Sequence, residues 1–297
     1  MVRSINFVQQ PSEKIAIAGA TGSGKTTLLK IIAGLIQPYA GEVLFEGEKI
    51  KGPLEKLLPG HPQIAYLSQN FELRNNYHVE ELLQMANKLP LDDAALVYEV
   101  CRIDHLTKRK SNELSGGERQ RIAFAKALVT SPKLLLLDEP FSNLDAIHRN
   151  VLKAVINDVH ERLNTTCILV SHDPSDLLSW ADEIIILNSG KIIQRGSPEE
   201  VYTHPVNEYA AALFGKYNSL SPELIRLFPS LQNDIRRFLR PGDFRISRDS
   251  NGVESKVERS SFLGTYYEAE LNLSGYSVIV VSDHECKEGE TVYLTLK

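Results

Sequence analysis

An α/β fold built on a doubly wound parallel sheet, followed by a small all-β domain, is predicted by three observations. Short aliphatic runs at 14–18, 63–68, 134–137 and 166–171 alternate with stretches of helical period, the pattern of strands joined by right-handed helical crossovers. The first of these runs enters a glycine-rich stretch, Gly19-Ala20-Thr21-Gly22-Ser23-Gly24-Lys25-Thr26-Thr27, that opens a helix. Beyond Phe238 the period drops to two, with β-like runs at 252–259, 266–273, 276–281 and 291–296 separated by turns.

Composition is that of a soluble globular chain, with 297 residues, 42% of them hydrophobic and 24% charged. A net charge of −5 argues against nucleic acid as the principal ligand. The three cysteines, Cys101, Cys167 and Cys286, are scattered, which fits a reducing compartment and offers no metal-ligand spacing. No signal-peptide core opens the sequence, and its aliphatic runs are too short to span a bilayer. The expectation is a cytoplasmic chain.

Taken in order, 4–8 reads as a short strand and Gln10-Pro11-Ser12-Glu13 as a turn before the buried strand 14–18. The next helix carries Leu28, Leu29 and Ile32 on one face and stops before Pro38. Residues 41–47 alternate as a half-buried strand and turn, and the strand 63–68 delivers Gln69 at its carboxyl end. From about 79 to 130 the pattern is helical, with Leu82, Leu83, Met85, Ala86 and Leu89 on one packing face and Leu96, Val97, Val100 and Cys101 on another. The continuous apolar run 134–137 suits a strand buried in a parallel sheet and ends in Asp138-Glu139-Pro140. A helix and the strand 166–171 follow, ending at His172. Residues 184–194 make an antiparallel hairpin around Asn188-Ser189-Gly190-Lys191. Ser197-Pro198-Glu199-Glu200 then starts a helix with a serine cap, and that helix and its successor end near Gly215. The expected domains are 1–215, with a helical subdomain at about 71–130, a linker at 216–237, and the β-domain 238–297.

The glycine-rich stretch is G-x-x-x-x-G-K-[ST] between a strand and a helix. Glycines let the backbone curl so that its N–H groups face a phosphate, and the helix adds its positive N-terminal end. Lys25 then reaches the β- and γ-phosphates, and Thr26 offers its hydroxyl to Mg²⁺. Asp138 ends a buried strand at the sheet rim, where open α/β sheets bind ligands, and suits a Mg²⁺-holding carboxylate. Glu139 suits polarisation of the attacking water, a general-base task contributing about 10² to 10⁴ in rate. In Leu114-Ser115-Gly116-Gly117-Glu118-Arg119-Gln120, two glycines enter a helix. One reading is a helix-start cap. The other is a second anion site made by Ser115, backbone N–H groups and the helix dipole.

That stretch resembles the signature motif of ATP-binding cassette (ABC) proteins, and the family's other motifs occur in order. Gln69 matches the glutamine loop, Asp138 and Glu139 match the Walker B pair, Ser142-Asn143-Leu144-Asp145 matches the D-loop, and His172 matches the switch histidine. The resemblance covers about residues 5–215 and implies a P-loop nucleoside triphosphatase that hydrolyses ATP with Mg²⁺. It further implies that two copies pair head to tail. Each site would then join Lys25, Thr26, Gln69, Asp138, Glu139 and His172 of one copy to Ser115, Gly116 and Gly117 of the other, with Asp145 also at the nucleotide and Thr26, Gln69 and Asp138 around the metal. The surface around Gln69 to Tyr77 and the helices after it would, by the same resemblance, receive a cytoplasmic helix of an integral-membrane permease.

Residues 238–246 and Phe262-Leu263-Gly264 resemble the OB-like β-barrel extension of importer ATPases serving ferric iron, polyamine, sulfate, molybdate or sugars. By that resemblance the chain is the energy-coupling subunit of an ABC importer. It would sit on the inner face of the cell membrane through its permease, work with a substrate-binding protein and engage no nucleic acid. The extension either packs and dimerises or holds a regulatory ligand. The rival reading is a soluble ABC ATPase acting on ribosomes or DNA, which usually carries two cassettes or a long coiled-coil insertion.

The beginning departs from the family pattern, because only 18 residues precede Gly19. The family's adenine-stacking aromatic would lie upstream of Met1; Phe7 belongs to the expected first strand, and Tyr39 follows the far end of the phosphate-loop helix. The expectation is either an N-terminally shortened chain or a cassette that holds adenine without stacking, with ATP bound up to about a hundredfold more weakly.

Overall fold

The computed structural model describes residues 2–68, 73–142, 144–247 and 252–297. It comprises two compact units, Met1–Pro198 and Glu199–Lys297. The first contains strands β1 (Lys14–Ala18), β2 (Leu44–Phe45), β3 (Glu48–Lys49), β4 (Ile64–Leu67), β5 (Leu134–Asp138), β6 (Thr166–Val170), β7 (Glu183–Asn188) and β8 (Lys191–Gly196). Its helices are α1 (Lys25–Ile32), α2 (Val79–Ala86), α3 (Leu91–Val100), α4 (Gly116–Leu128), α5 (Ala146–Leu163) and α6 (Pro174–Leu178).

Six strands form one sheet in the order β4-β5-β6-β1-β7-β8, parallel except for the terminal hairpin β7–β8. The all-apolar strand sequences follow from burial on both faces. Ile15, Ile17, Leu134, Leu136, Ile168 and Val170 pack with Leu28, Leu29 and Ile32 of α1; their neighbours Ala16, Leu135, Leu137 and Leu169 are equally buried. Each such leucine or isoleucine contributes about 1.5–3 kcal/mol on burial. Register brings three strand ends to one rim: Ile17 pairs with Val170, and Val170 pairs with Asp138. The chain therefore leaves β1, β5 and β6 side by side, carrying Gly19, Glu139 and His172.

Several expectations change on contact with the structure. Residues 4–8 form no ladder; the segment is anchored by the Arg3 N–H on the Gly190 carbonyl at 2.7 Å, with Ile5 and Phe7 half-buried against the core. Phe7 thus spends its ring on packing. The strand read at 41–47 is only two residues long and pairs with β3 across Glu46 and Gly47, both at positive φ. Met85 does not join Leu82 and Leu83 in the core: it is 62% exposed, because it lies about 110° around the helix from the centre of the face that Val79, Leu82 and Leu83 bury. Among the described residues, no helix is long and apolar enough to cross a membrane.

The second unit holds most of α7 (Pro198–Thr203), then α8 (Glu208–Leu213), β9 (Asn218–Ser219), α9 (Pro222–Leu227), β10 (Phe238–Leu239), β11 (Phe244–Ser247), β12 (Val253–Phe262), β13 (Tyr267–Leu273), β14 (Tyr276–Ser282) and β15 (Thr291–Leu296). The last five strands form an antiparallel sheet ordered β11-β15-β12-β13-β14, and its edges β11 and β14 approach each other, so the sheet curls into a partly open barrel. Residues 216–237 are no open connection: Leu224, Phe228 and Leu231 are buried with Phe244, Leu271 and Leu294 in the barrel core. Arg240, 5% exposed, donates to the carbonyls of Tyr202, Ala211, Gly215 and Lys216 and stacks on the Tyr202 ring at 4.3 Å. It binds α7 and α8 to the start of the barrel.

Candidate nucleotide site

Gly24 caps α1 in the left-handed region, φ 105°, and no side chain caps the helix, so the first N–H groups of α1 are left for an anion. A Cβ on Gly19 would strike the Leu187 carbonyl and Ser23 Oγ, which explains glycine at the loop's entrance. Ser23 Oγ is buried and has no hydrogen-bond partner among the described residues. An orphaned hydroxyl inside a glycine-rich loop is the mark of a missing polar ligand, and a triphosphate fits it. Lys25, buried, rests its ammonium on the carbonyls of Gly19 and Ala20 at 2.7 and 3.1 Å. Burial holds its pKa below the usual lysine value, with the Glu139 and Asp138 carboxylates pulling the other way. Thr21, Gly22 and Thr27 complete the loop and the first turn of α1.

Asp138, 4% exposed, accepts from Thr26 Oγ1 on Oδ1 at 3.0 Å and from the Tyr66 hydroxyl on Oδ2 at 2.8 Å. Burial and that bond raise the Tyr66 pKa well above its ordinary value. A threonine hydroxyl beside a carboxylate is a hard-oxygen donor set, suited to Mg²⁺ held by one or two protein ligands plus phosphates. Gln69, predicted for the same shell, lies outside the described residues.

Glu139 leaves β5 in the left-handed region, φ 53°, a strain of about 1–3 kcal/mol of the kind held at functional sites. Its N–H donates to Val170 O at 3.0 Å, and its own carbonyl accepts from Ser142 N and Oγ at 3.2 and 2.7 Å. The carboxylate so aimed lies 2.7 Å from His172 Nδ1. Behind His172, Ser171 Oγ donates to the buried Asp176 at 2.8 Å, and Asp176 is paired with Arg149 at 3.1 Å and Lys153 at 2.5 Å on α5. That buried ion network escaped the sequence reading; Asp173-Pro174 is legible as a helix start, but nothing local announces its partners on α5.

The other predicted residues form a second cluster on α4 and α5. Ser115 caps α4, accepting from Glu118 N at 3.3 Å while its own N–H donates to Glu118 Oε2 at 2.8 Å, a reciprocal capping box. That backbone bond holds the Glu118 carboxyl below its usual range. Asp145 caps α5 and grips His148 Nδ1 at 2.8–2.9 Å. A Cβ on Gly117 would meet the His148 ring at 2.5 Å, whereas one on Gly116 would meet nothing. Gly117 and Asp145 are thus joined through His148, a residue the motifs did not single out. Asn143 lies outside the described residues.

An ABC transporter family model matches residues 2–142. The chain is 34% identical over 290 residues to the sulfate/thiosulfate import ATP-binding protein CysA of Gloeobacter violaceus, covering 94% of this chain and 83% of that protein. It is 32% identical over 321 residues to the glucose import ATP-binding protein GlcV of Saccharolobus solfataricus, covering 99% and 91%. Among solved structures, CbiO1 from Clostridium perfringens, part of the ABC transporter complex CbiONQ, superposes with a TM-score of 0.59 at 27% identity over 67% of this chain and 83% of that one. With three strand ends converging on a phosphate loop and relatives of this length and kind, the chain belongs to the ABC transporter family, as an importer-type ATP-binding subunit with a C-terminal all-β extension.

Proposed function

We propose that this ATPase works as a head-to-tail homodimer with two shared MgATP sites, coupled to an integral-membrane permease on the inner face of the membrane and fed by a substrate-binding protein. The observation that carries the reading is the pair of hydrogen bonds at the rim, Thr26 to Asp138 and His172 to Glu139. They join the phosphate-loop helix to two strand ends around one space. In this reading Lys25 exchanges its loop carbonyls for the β- and γ-phosphates, Ser23 Oγ gains the acceptor it lacks, and Glu139 takes the proton of the attacking water while His172 holds its carboxylate. Thr26, Asp138 and Gln69 would hold the metal; when bound, Mg²⁺ neutralises phosphate charge during transfer. Ser115, Gly116 and Gly117 act on the partner copy's nucleotide through the start of α4, whose capping box occupies the N–H groups of Ser115 and Glu118 and not those of the two glycines, with Asp145 beside them. In this reading the nucleotide cassette runs over residues 1–215, although the helices after Pro198 cluster with the second unit, and a helical subdomain at about 71–130 receives the permease.

Mixing variants tests the sharing of sites. Ser115→Arg and Lys25→Ala proteins, each inactive alone, should regain hydrolysis when mixed, because the heterodimer keeps one intact composite site. Full hydrolysis by a monomer, with specific activity independent of concentration, would overturn the shared site.

A further inference from the structure

Tyr66 lies in β4 opposite Leu136 of β5, so Asp138 is its diagonal neighbour two residues on and on the same face. The Tyr66 hydroxyl spans that diagonal at 2.8 Å. The ring itself packs against the cluster formed by Leu136 and α1. It also walls a cavity of about 390 Å³ shared with Leu35, Leu58 and His61. Packing would be served equally by phenylalanine; only the hydroxyl touches the carboxylate.

Asp138 is buried, and each of its oxygens has a single side-chain donor in the described site, Thr26 on Oδ1 and Tyr66 on Oδ2. Thr26 can offer a lone pair to a metal and still donate its proton to Oδ1, so one donor on each oxygen is needed to fix the carboxylate plane, and Tyr66 supplies the one on Oδ2. We propose that Tyr66 is a positioning residue for the metal site, orienting Asp138 through Oδ2. The inference rests on the reading of Asp138 as a Mg²⁺-holding group. Outer-shell partners of this kind change metal affinity by roughly 10- to 100-fold when removed.

The test is Tyr66→Phe in the full chain carrying Glu139→Gln, so that nucleotide is bound without turnover. Affinity for a fluorescent ATP analogue is measured in EDTA and in excess Mg²⁺. Phenylalanine keeps the ring that packs, so affinity in EDTA should stay within about twofold of the Tyr66 parent, while the gain on adding Mg²⁺ should shrink roughly 10- to 100-fold. An unchanged gain would overturn the proposal, as would equal weakening in EDTA and Mg²⁺, which marks a packing role alone. No Mg²⁺ gain in the Tyr66 parent would instead overturn the metal reading on which the proposal stands.

Discussion

At the residue scale, Glu139 is defined by its constraints: a left-handed backbone, a carbonyl held by Ser142 and a carboxylate beside His172. Glu139→Gln keeps the shape and removes the proton acceptor. The turnover rate should fall by about 10² to 10⁴, with ATP affinity retained in equilibrium binding. Glu118 makes a pH-dependent prediction. Its pKa is depressed in the folded chain, first by the Ser115 N–H, so the charged form contributes stability above the unfolded value of about 4.3. That contribution is lost as pH falls through the depressed folded value. Glu118→Gln should therefore be less stable at pH 7, by roughly 0.3–1 kcal/mol for a charge at a helix N-terminus. In urea melts below the depressed pKa it should match the parent. Placements set by immediate neighbours, such as Lys25 in the loop or Ser115 at the start of α4, were legible in sequence. Tyr66 was not, because its partner lies 72 positions away and only strand register reveals the diagonal.

At the element scale, α4 and α5 meet where a glycine has no side chain. His148 occupies the space a Cβ on Gly117 would need, while Asp145 holds the same ring. Gly117→Ala should therefore cost about 1–3 kcal/mol through overpacking, and His148→Ala should relieve most of it, a coupling that a double-mutant cycle of thermal unfolding measures. Equal costs in both backgrounds would show that the ring moves aside freely. The strands β4, β5 and β6 were readable as unbroken apolar runs, and β7–β8 from its glycine turn. Residues 4–8 misled because their alternation survives as half-burial of Ile5 and Phe7 without a partner strand. Residues 216–237 misled in the other direction, since a mixed composition conceals that Leu224, Phe228 and Leu231 share one core.

At the scale of the whole molecule, each unit carries its own apolar core. Leu271→Ala, a fully buried change in the second, should lower that unit's stability by about 2–5 kcal/mol. ATP affinity measured below the unfolding transition should stay at the parent value. In the first unit, burial pushes the Cys167 thiol up to about 12, so a disulfide reagent at pH 8 should label it only after denaturant opens the sheet. The sheet of the barrel also ends on β14. Asn218 lends its side-chain amide to β14 there, donating to Ile279 O and accepting from Ile279 N, both at 2.7 Å. One amide thus imitates the edge of a neighbouring strand and blocks that register to any other chain. Replacing it with alanine would free a donor and an acceptor on a β-edge. The resulting defect would be social rather than internal: light scattering that grows with protein concentration, in a chain whose own fold and nucleotide binding remain sound when dilute.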